Sequence, residues 1–87
     1  MYKNRYKGRN NISGIKVAEL RKAMGISQRQ LADKLQLIEL DLDKNAVQRI
    51  ESGQRFVTDI ELKAISKVFN VPLSEFLNIS EQSKGEL

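Results

Sequence analysis

The chain contains no cysteine, no histidine and no tryptophan, and a single proline. Without cysteine there is neither a disulfide nor a thiolate metal site, and without histidine zinc is left with carboxylates alone, a poor match to its ligand set. The same two absences remove the commonest general base and the thiol nucleophile. The Asp, Glu, Lys, Ser and Tyr residues that remain form no catalytic arrangement, so the sequence does not read as an enzyme and implies neither metal nor cofactor. Long apolar runs are also missing. No stretch reaches the length of a membrane span, and the start Met1-Tyr2-Lys3-Asn4-Arg5 lacks the apolar segment of a signal peptide. The expectation is a soluble, cytoplasmic, nucleoid-associated protein.

What is present is a charge gradient along 87 residues, enough chain for one domain. The net charge of +4 divides into +4 over residues 1–11, +2 over 12–55 and −2 over 56–87. A basic front and an acidic rear suit a protein that meets a polyanion with one side. Residues 1–11 show no apolar period and read as a flexible basic arm. Residues 80–87 read as a disordered tail, and residues 12–79 as the folded domain.

Within that domain the pattern is helical throughout. Val17, Leu20 and Met24 recur at helical spacing, and Gly25 follows as a stop. Ser27 with Gln30 forms a capping box that opens a second helix with the stripe Leu31, Ala32 and Leu35. Ile38 extends this stripe, so the second helix is expected to run about one turn further, whereas Leu40 and Leu42 alternate with acids like a short extended piece. Leu37, Ile38, Leu40 and Leu42 are expected to pack on the domain. Asp43 is the N-cap of a third helix through Ala46, Val47 and Ile50, closed by Gly53. Thr58 with Glu61 is a second capping box, opening a fourth helix with the stripe Ile60, Leu62, Ile65, Val68 and Phe69. Pro72 starts a short fifth helix that holds Phe76 and Leu77.

The third helix carries the functional signal. Val47 and Ile50 point inward, which leaves Lys44, Asn45, Gln48 and Arg49 on the outer faces. Lys and Arg donate to guanine O6 and N7, and Asn or Gln pairs with adenine N6 and N7, so these side chains suit a helix lying in a major groove about 12 Å wide. The basic arm, with Lys3, Arg5, Lys7 and Arg9, reads either as a contact to phosphates or a minor groove or as a dispensable tail. Arg29 reads either as a phosphate contact or as a solvated surface residue.

The segments Glu19-Leu20-Arg21-Lys22-Ala23-Met24-Gly25-Ile26-Ser27-Gln28, Leu31-Ala32-Asp33-Lys34-Leu35, Val47-Gln48-Arg49-Ile50-Glu51-Ser52-Gly53 and Ile65-Ser66-Lys67-Val68-Phe69-Asn70-Val71 occur in that order. The chain from about Ile12 to Leu77 thereby resembles the Cro/cI-type (XRE-like) helix-turn-helix family of phage repressors and bacterial regulators. The resemblance implies an all-α, five-helix, lambda-repressor-like domain and sequence-specific binding of double-stranded operator DNA as a homodimer by a transcriptional regulator, in particular a repressor. It places Lys44, Asn45 and Arg49 at base-reading positions with Gln48 beside them. It also places Gln28 on a backbone phosphate, Gln54 and Arg55 in the segment that clamps the sugar-phosphate backbone, and Arg21 with Glu51 in a structural ion pair. An antitoxin that represses its own promoter and a protein-interaction module of the same fold are the alternatives. The chain departs from the family in one place, with about five extra residues between Leu35 and Leu42. The fifth-helix residues Leu73, Phe76, Leu77 and Ile79 are the suggested dimer contact, with Phe76 and Leu77 alternatively in the core.

Overall fold

The computed structural model describes residues 5–77. It contains α1 (Ser13–Met24), α2 (Gln28–Leu37), α3 (Lys44–Ser52), α4 (Asp59–Phe69) and the short α5 (Ser74–Leu77). Among the described residues there is no strand, and the architecture is the expected five-helix, all-α domain.

The helix starts follow from local chemistry. Ser27 Oγ accepts from the Gln30 amide at 3.0 Å while Gln30 Oε1 accepts from the Ser27 amide at 2.8 Å, and Thr58 and Glu61 repeat the reciprocal pair at 3.1 and 3.0 Å. Asp43 caps α3 by accepting from the Ala46 amide at 2.8 Å. Each arrangement satisfies donors that the first helical turn leaves without intrahelical partners.

The helix ends share one device. Each of α1 to α4 closes with a left-handed residue and the paired reverse bonds of a Schellman motif. For α1 the bonds are Ile26 N to Arg21 O and Gly25 N to Lys22 O, and for α3 they are Gln54 N to Arg49 O and Gly53 N to Ile50 O. In α4 the left-handed residue is Asn70, and after α2 it is Glu39, with φ of 57° and 67°. Ile26, Leu40 and Val71, each next after the left-handed residue, pack against the core.

This closure answers the question posed by the long connection. Helix α2 ends at Leu37, and the Leu40 and Glu39 amides turn back onto the Leu35 and Gln36 carbonyls. Leu42 is then buried and Leu40 packs on the core, whereas Leu37 is 83% and Ile38 42% exposed. The extra residues therefore divide. Two seat the chain ahead of Asp43, and the tip of the insertion turns to solvent, where the expectation had all four leucine and isoleucine side chains packed.

The core is built from Val17, Leu31, Ala32, Leu35, Leu42, Val47, Ile50, Ile65, Phe69 and Phe76. Met24 and Ile60, placed in the inward stripes by periodicity, are 44% and 73% exposed. Both sit at helix termini, where the helical period continues but no neighbouring element covers it. Phe76 is completely buried and belongs to the core, whereas Leu73 and Leu77 are exposed. Ile79 and residues 80–87 lie outside the described residues, as does Lys3.

The segment ahead of α1 differs from a free arm over residues 5–11. Tyr6 and Arg9 exchange backbone bonds of 2.8 and 2.9 Å across Lys7 and Gly8, whose φ values of 50° and 82° make a tight two-residue turn. Residues 9–11 then lie against the end of α3.

Glu39 has no side-chain partner among the described residues and occupies a backbone region that costs a non-glycine residue about 1–3 kcal/mol. Replacing Glu39 with glycine removes that strain at some loss of chain entropy in the unfolded state. Glu39→Gly should raise the unfolding free energy by about 0.5–1 kcal/mol. A urea unfolding curve measures it, and a lower midpoint would refute the assignment of strain.

Candidate nucleic-acid interface

Helix α3 packs against both α1 and α2. Its inward side chains Val47 and Ile50 are each about 1% exposed, while Lys44, Asn45, Gln48 and Arg49 are all exposed. Positions 44, 45, 48 and 49 are neighbours at i, i+1, i+4 and i+5, so the four share one side of the helix. None of these four side chains makes a hydrogen bond or ion pair with another described residue. Their donors and acceptors are uncommitted and face outward. Arg29 is also exposed and, with Asp33, Gln36, Asp43, Lys44 and Asn45, lines an open groove between α2 and the start of α3.

The C-terminal end of α3 is fixed by a polar cluster. Arg21 of α1 binds Glu51 through two bonds, Nε to Oε2 at 2.7 Å and Nη2 to Oε1 at 3.1 Å. Arg21 also donates to the Ile26 carbonyl at 2.9 Å, and Gln28 Nε2 donates to Glu51 Oε1 at 3.0 Å. Glu51 thus links the first three helices. Its side chain is 8% exposed and that of Arg21 13%, so the pair is largely desolvated and depends on its bidentate geometry. The hydrogen bonds that Arg21 donates to Glu51 hold its guanidinium above its ordinary proton affinity and outweigh the opposing effect of burial.

The residues expected on the sugar-phosphate backbone are also engaged within the protein. Gln28 spends one N–H on Glu51, which leaves the other N–H and the carbonyl of its amide. Arg55 grips the Glu61 carboxylate with Nη1 at 3.3 Å and Nη2 at 3.2 Å, two of five guanidinium N–H donors. Glu61 consequently serves both the α4 capping box and Arg55. Gln54 is exposed, and its amide closes α3.

A family model of the helix-turn-helix matches residues 17–76. The chain belongs to the helix-turn-helix family. This places it among DNA-binding transcriptional regulators of the XRE-like type. Among solved structures, the restriction-modification controller protein C.AhdI from Aeromonas hydrophila is similar. The two are 30% identical, the match covers 74% of this chain and 86% of that one, and the TM-score is 0.64. No curated protein matches the sequence.

Sequence reasoning did not find the contacts of Arg9, Asn10 and Asn11. Arg9, read from the sequence as either an arm contact to DNA or part of a dispensable tail, is folded against α3: Nη2 donates to Glu51 O at 2.9 Å and to Ile50 O at 3.4 Å, and Nε donates to Asn11 O at 3.0 Å. Asn11 Nδ2 donates to Ile50 O at 3.1 Å and Arg55 O at 2.8 Å, while its Oδ1 accepts from the Gly14 amide at 2.8 Å. Asn10 bonds Gly53 O through its amide at 2.8 Å and Gln54 O through its side chain at 3.1 Å. A local signal existed for Asn11 alone, since Asn three residues before Gly14 is a helix-capping pattern. Of the other arm candidates, Arg5 and Lys7 are exposed, and Arg5 donates to the Gly8 carbonyl at 3.1 Å.

Removing the Glu51 carboxylate leaves Arg21 charged, mostly buried and short of acceptors. Glu51→Ala should destabilise the domain by about 3–5 kcal/mol. The double variant Arg21→Ala with Glu51→Ala should lose clearly less than the sum of the two single changes in chemical denaturation. Additive losses would deny the pair its structural role.

Proposed function

We propose that the protein is a sequence-specific repressor that binds operator DNA as a homodimer, with α3 in the major groove of each half-site. The observation that carries this reading is the two-sidedness of α3: Val47, Ile50 and Glu51 are committed to the fold, while Lys44, Asn45, Gln48 and Arg49 are exposed with their polar groups unspent. In this reading Lys44, Asn45 and Arg49 contact base edges, and Gln48 flanks them. Gln28, Gln54 and Arg55 contact phosphates through the donors that their internal bonds leave over, with Arg29 beside them. Similarity to a restriction-modification controller protein supports a regulatory role over other uses of the fold.

Dimerisation follows from scale. A single small module buries too little surface on one half-site for tight binding at physiological salt, and paired modules double it. The exposed apolar side chains Phe56, Ile60, Leu73 and Leu77 all fall between the end of α3 and the end of α5, on the acidic portion of the chain. That portion is the least suited to face phosphates and is where we place the dimer contact.

Selection of bound sequences from random duplex should return a site with two related halves whose centres lie about one helical turn apart. Against the selected duplex, Arg49→Ala should weaken binding by about 1–3 kcal/mol and relax preference at a single base position in each half-site. A uniform loss over all sequences would reassign Arg49 to the phosphate backbone. Absence of DNA binding at low salt would overturn the whole reading in favour of an interaction module.

A further inference from the structure

The C-terminal end of α3 and the loop after it, residues 49–55, contain one proposed base reader and two proposed phosphate contacts. This segment is held from outside by three consecutive residues. Arg9 places its guanidinium on the last carbonyls of α3, those of Ile50 and Glu51, where the negative end of the helix dipole favours a cation. Asn10 pairs with the Gly53 and Gln54 carbonyls, and Asn11 bridges the Ile50 and Arg55 carbonyls. Every carbonyl from residue 50 to 55 except that of Ser52 thereby receives a donor from residues 9–11.

Steric fit reinforces the polar one. A Cβ on Gly53 would lie 2.8 Å from Arg9 Cγ and Cζ, so the arginine stem crosses directly over that glycine. A Cβ on Gly14 would collide with the Ile50 carbonyl oxygen, so α1 approaches the end of α3 as closely as a backbone can. Arg9, although basic and near the amino terminus, has spent Nε and Nη2 on protein acceptors and is half-buried.

We infer that Arg9, Asn10 and Asn11 are positioning residues, a strap that holds the end of the recognition helix and the 53–55 loop in the conformation that meets DNA. The inference rests on the DNA-binding reading above. The strap acts by ordering the backbone of residues 50–55, from which Gln54 and Arg55 project, before binding, so that the complex does not have to immobilise that segment. It differs from a phosphate contact in a measurable way. A phosphate contact releases counterions when it forms, whereas a strap within the protein does not.

The test uses the full chain and the selected duplex, titrated over a series of salt concentrations. Arg9→Ala should bind about tenfold more weakly with the slope of log affinity against log salt unchanged, as expected when order of the 50–55 segment must be supplied on binding. Backbone amides of Gly53 and Gln54 should exchange faster in the free variant than in the parent. Arg9→Lys keeps the charge but lacks the planar fork, and should recover only part of the affinity. A salt slope smaller by about 0.9 would make Arg9 a phosphate contact and overturn the strap, as would unchanged affinity or unchanged exchange. Should Arg9→Ala fail to fold, Asn10→Ala removes only the side-chain bond to Gln54 and should weaken binding about threefold at constant slope. If the parent protein binds no duplex, the DNA-binding reading fails first. If the parent binds and the variants match it, the strap alone fails.

Discussion

The position of α3 depends on the carboxylate of Glu51. Taking a carboxylate and a guanidinium out of water costs several kcal/mol, and only tight geometry and additional hydrogen bonds recover that cost. Here Arg21 supplies a two-bond fork from α1, and Gln28 supplies a third donor from the start of α2. Because the three side chains come from three helices, the cluster is satisfied in only one relative placement of them. Hydrophobic contact alone is less selective, since Val47 and Ile50 would tolerate small rotations of α3 against Leu31 and Leu35. The polar cluster fixes what the apolar core leaves free.

The backbone of the same turn is restrained as heavily as the side chain. Ile50 O receives donors from Arg9 and Asn11, as well as from the Gly53 amide, and lies against Gly14. The start of α3 has lighter support, from the Asp43 cap and the buried Leu42 just before it. Gln36 adds a long bond of 3.5 Å to the Leu42 carbonyl. The helix is therefore anchored at the end nearest Glu51. Its first turn, with Lys44 and Asn45, follows the lengthened connection, and the insertion is absorbed by a left-handed turn at Glu39 with Leu37 and Ile38 left in solvent.

Much of this was legible in the sequence, and the division is physical. Ser27–Gln30, Thr58–Glu61, Asp43, Gly25 and Gly53 act through bonds three to five residues apart, so each announces itself locally. The inward residues Leu31, Leu35, Val47, Ile50 and Ile65 follow helical periodicity, which fails for Met24 and Ile60 because a period says nothing about where the neighbouring surface stops. The Arg21–Glu51 pair came only through family resemblance. Arg9, Asn10 and Asn11 stayed hidden because they bond to carbonyls about 40 residues away, and a carbonyl carries no side-chain signature. Arg55 with Glu61 was obscured differently, since Glu61 already had a complete local explanation as a capping residue.

The division of polar groups between the two sides of the unit bears on recognition. The candidate base readers Lys44, Asn45, Gln48 and Arg49 are uncommitted, whereas Gln28 and Arg55, the candidate backbone contacts, are partly bound within the protein. In the proposed complex this ordering is economical. Phosphate positions vary little with sequence, so side chains held in advance lose little freedom on meeting them. Base edges differ from site to site, and readers that remain free can search for their hydrogen-bond partners. In that proposed complex Glu51 and Glu61 act without approaching DNA: each orients a neighbouring donor, and each would repel phosphate if its charge were not already matched by an arginine.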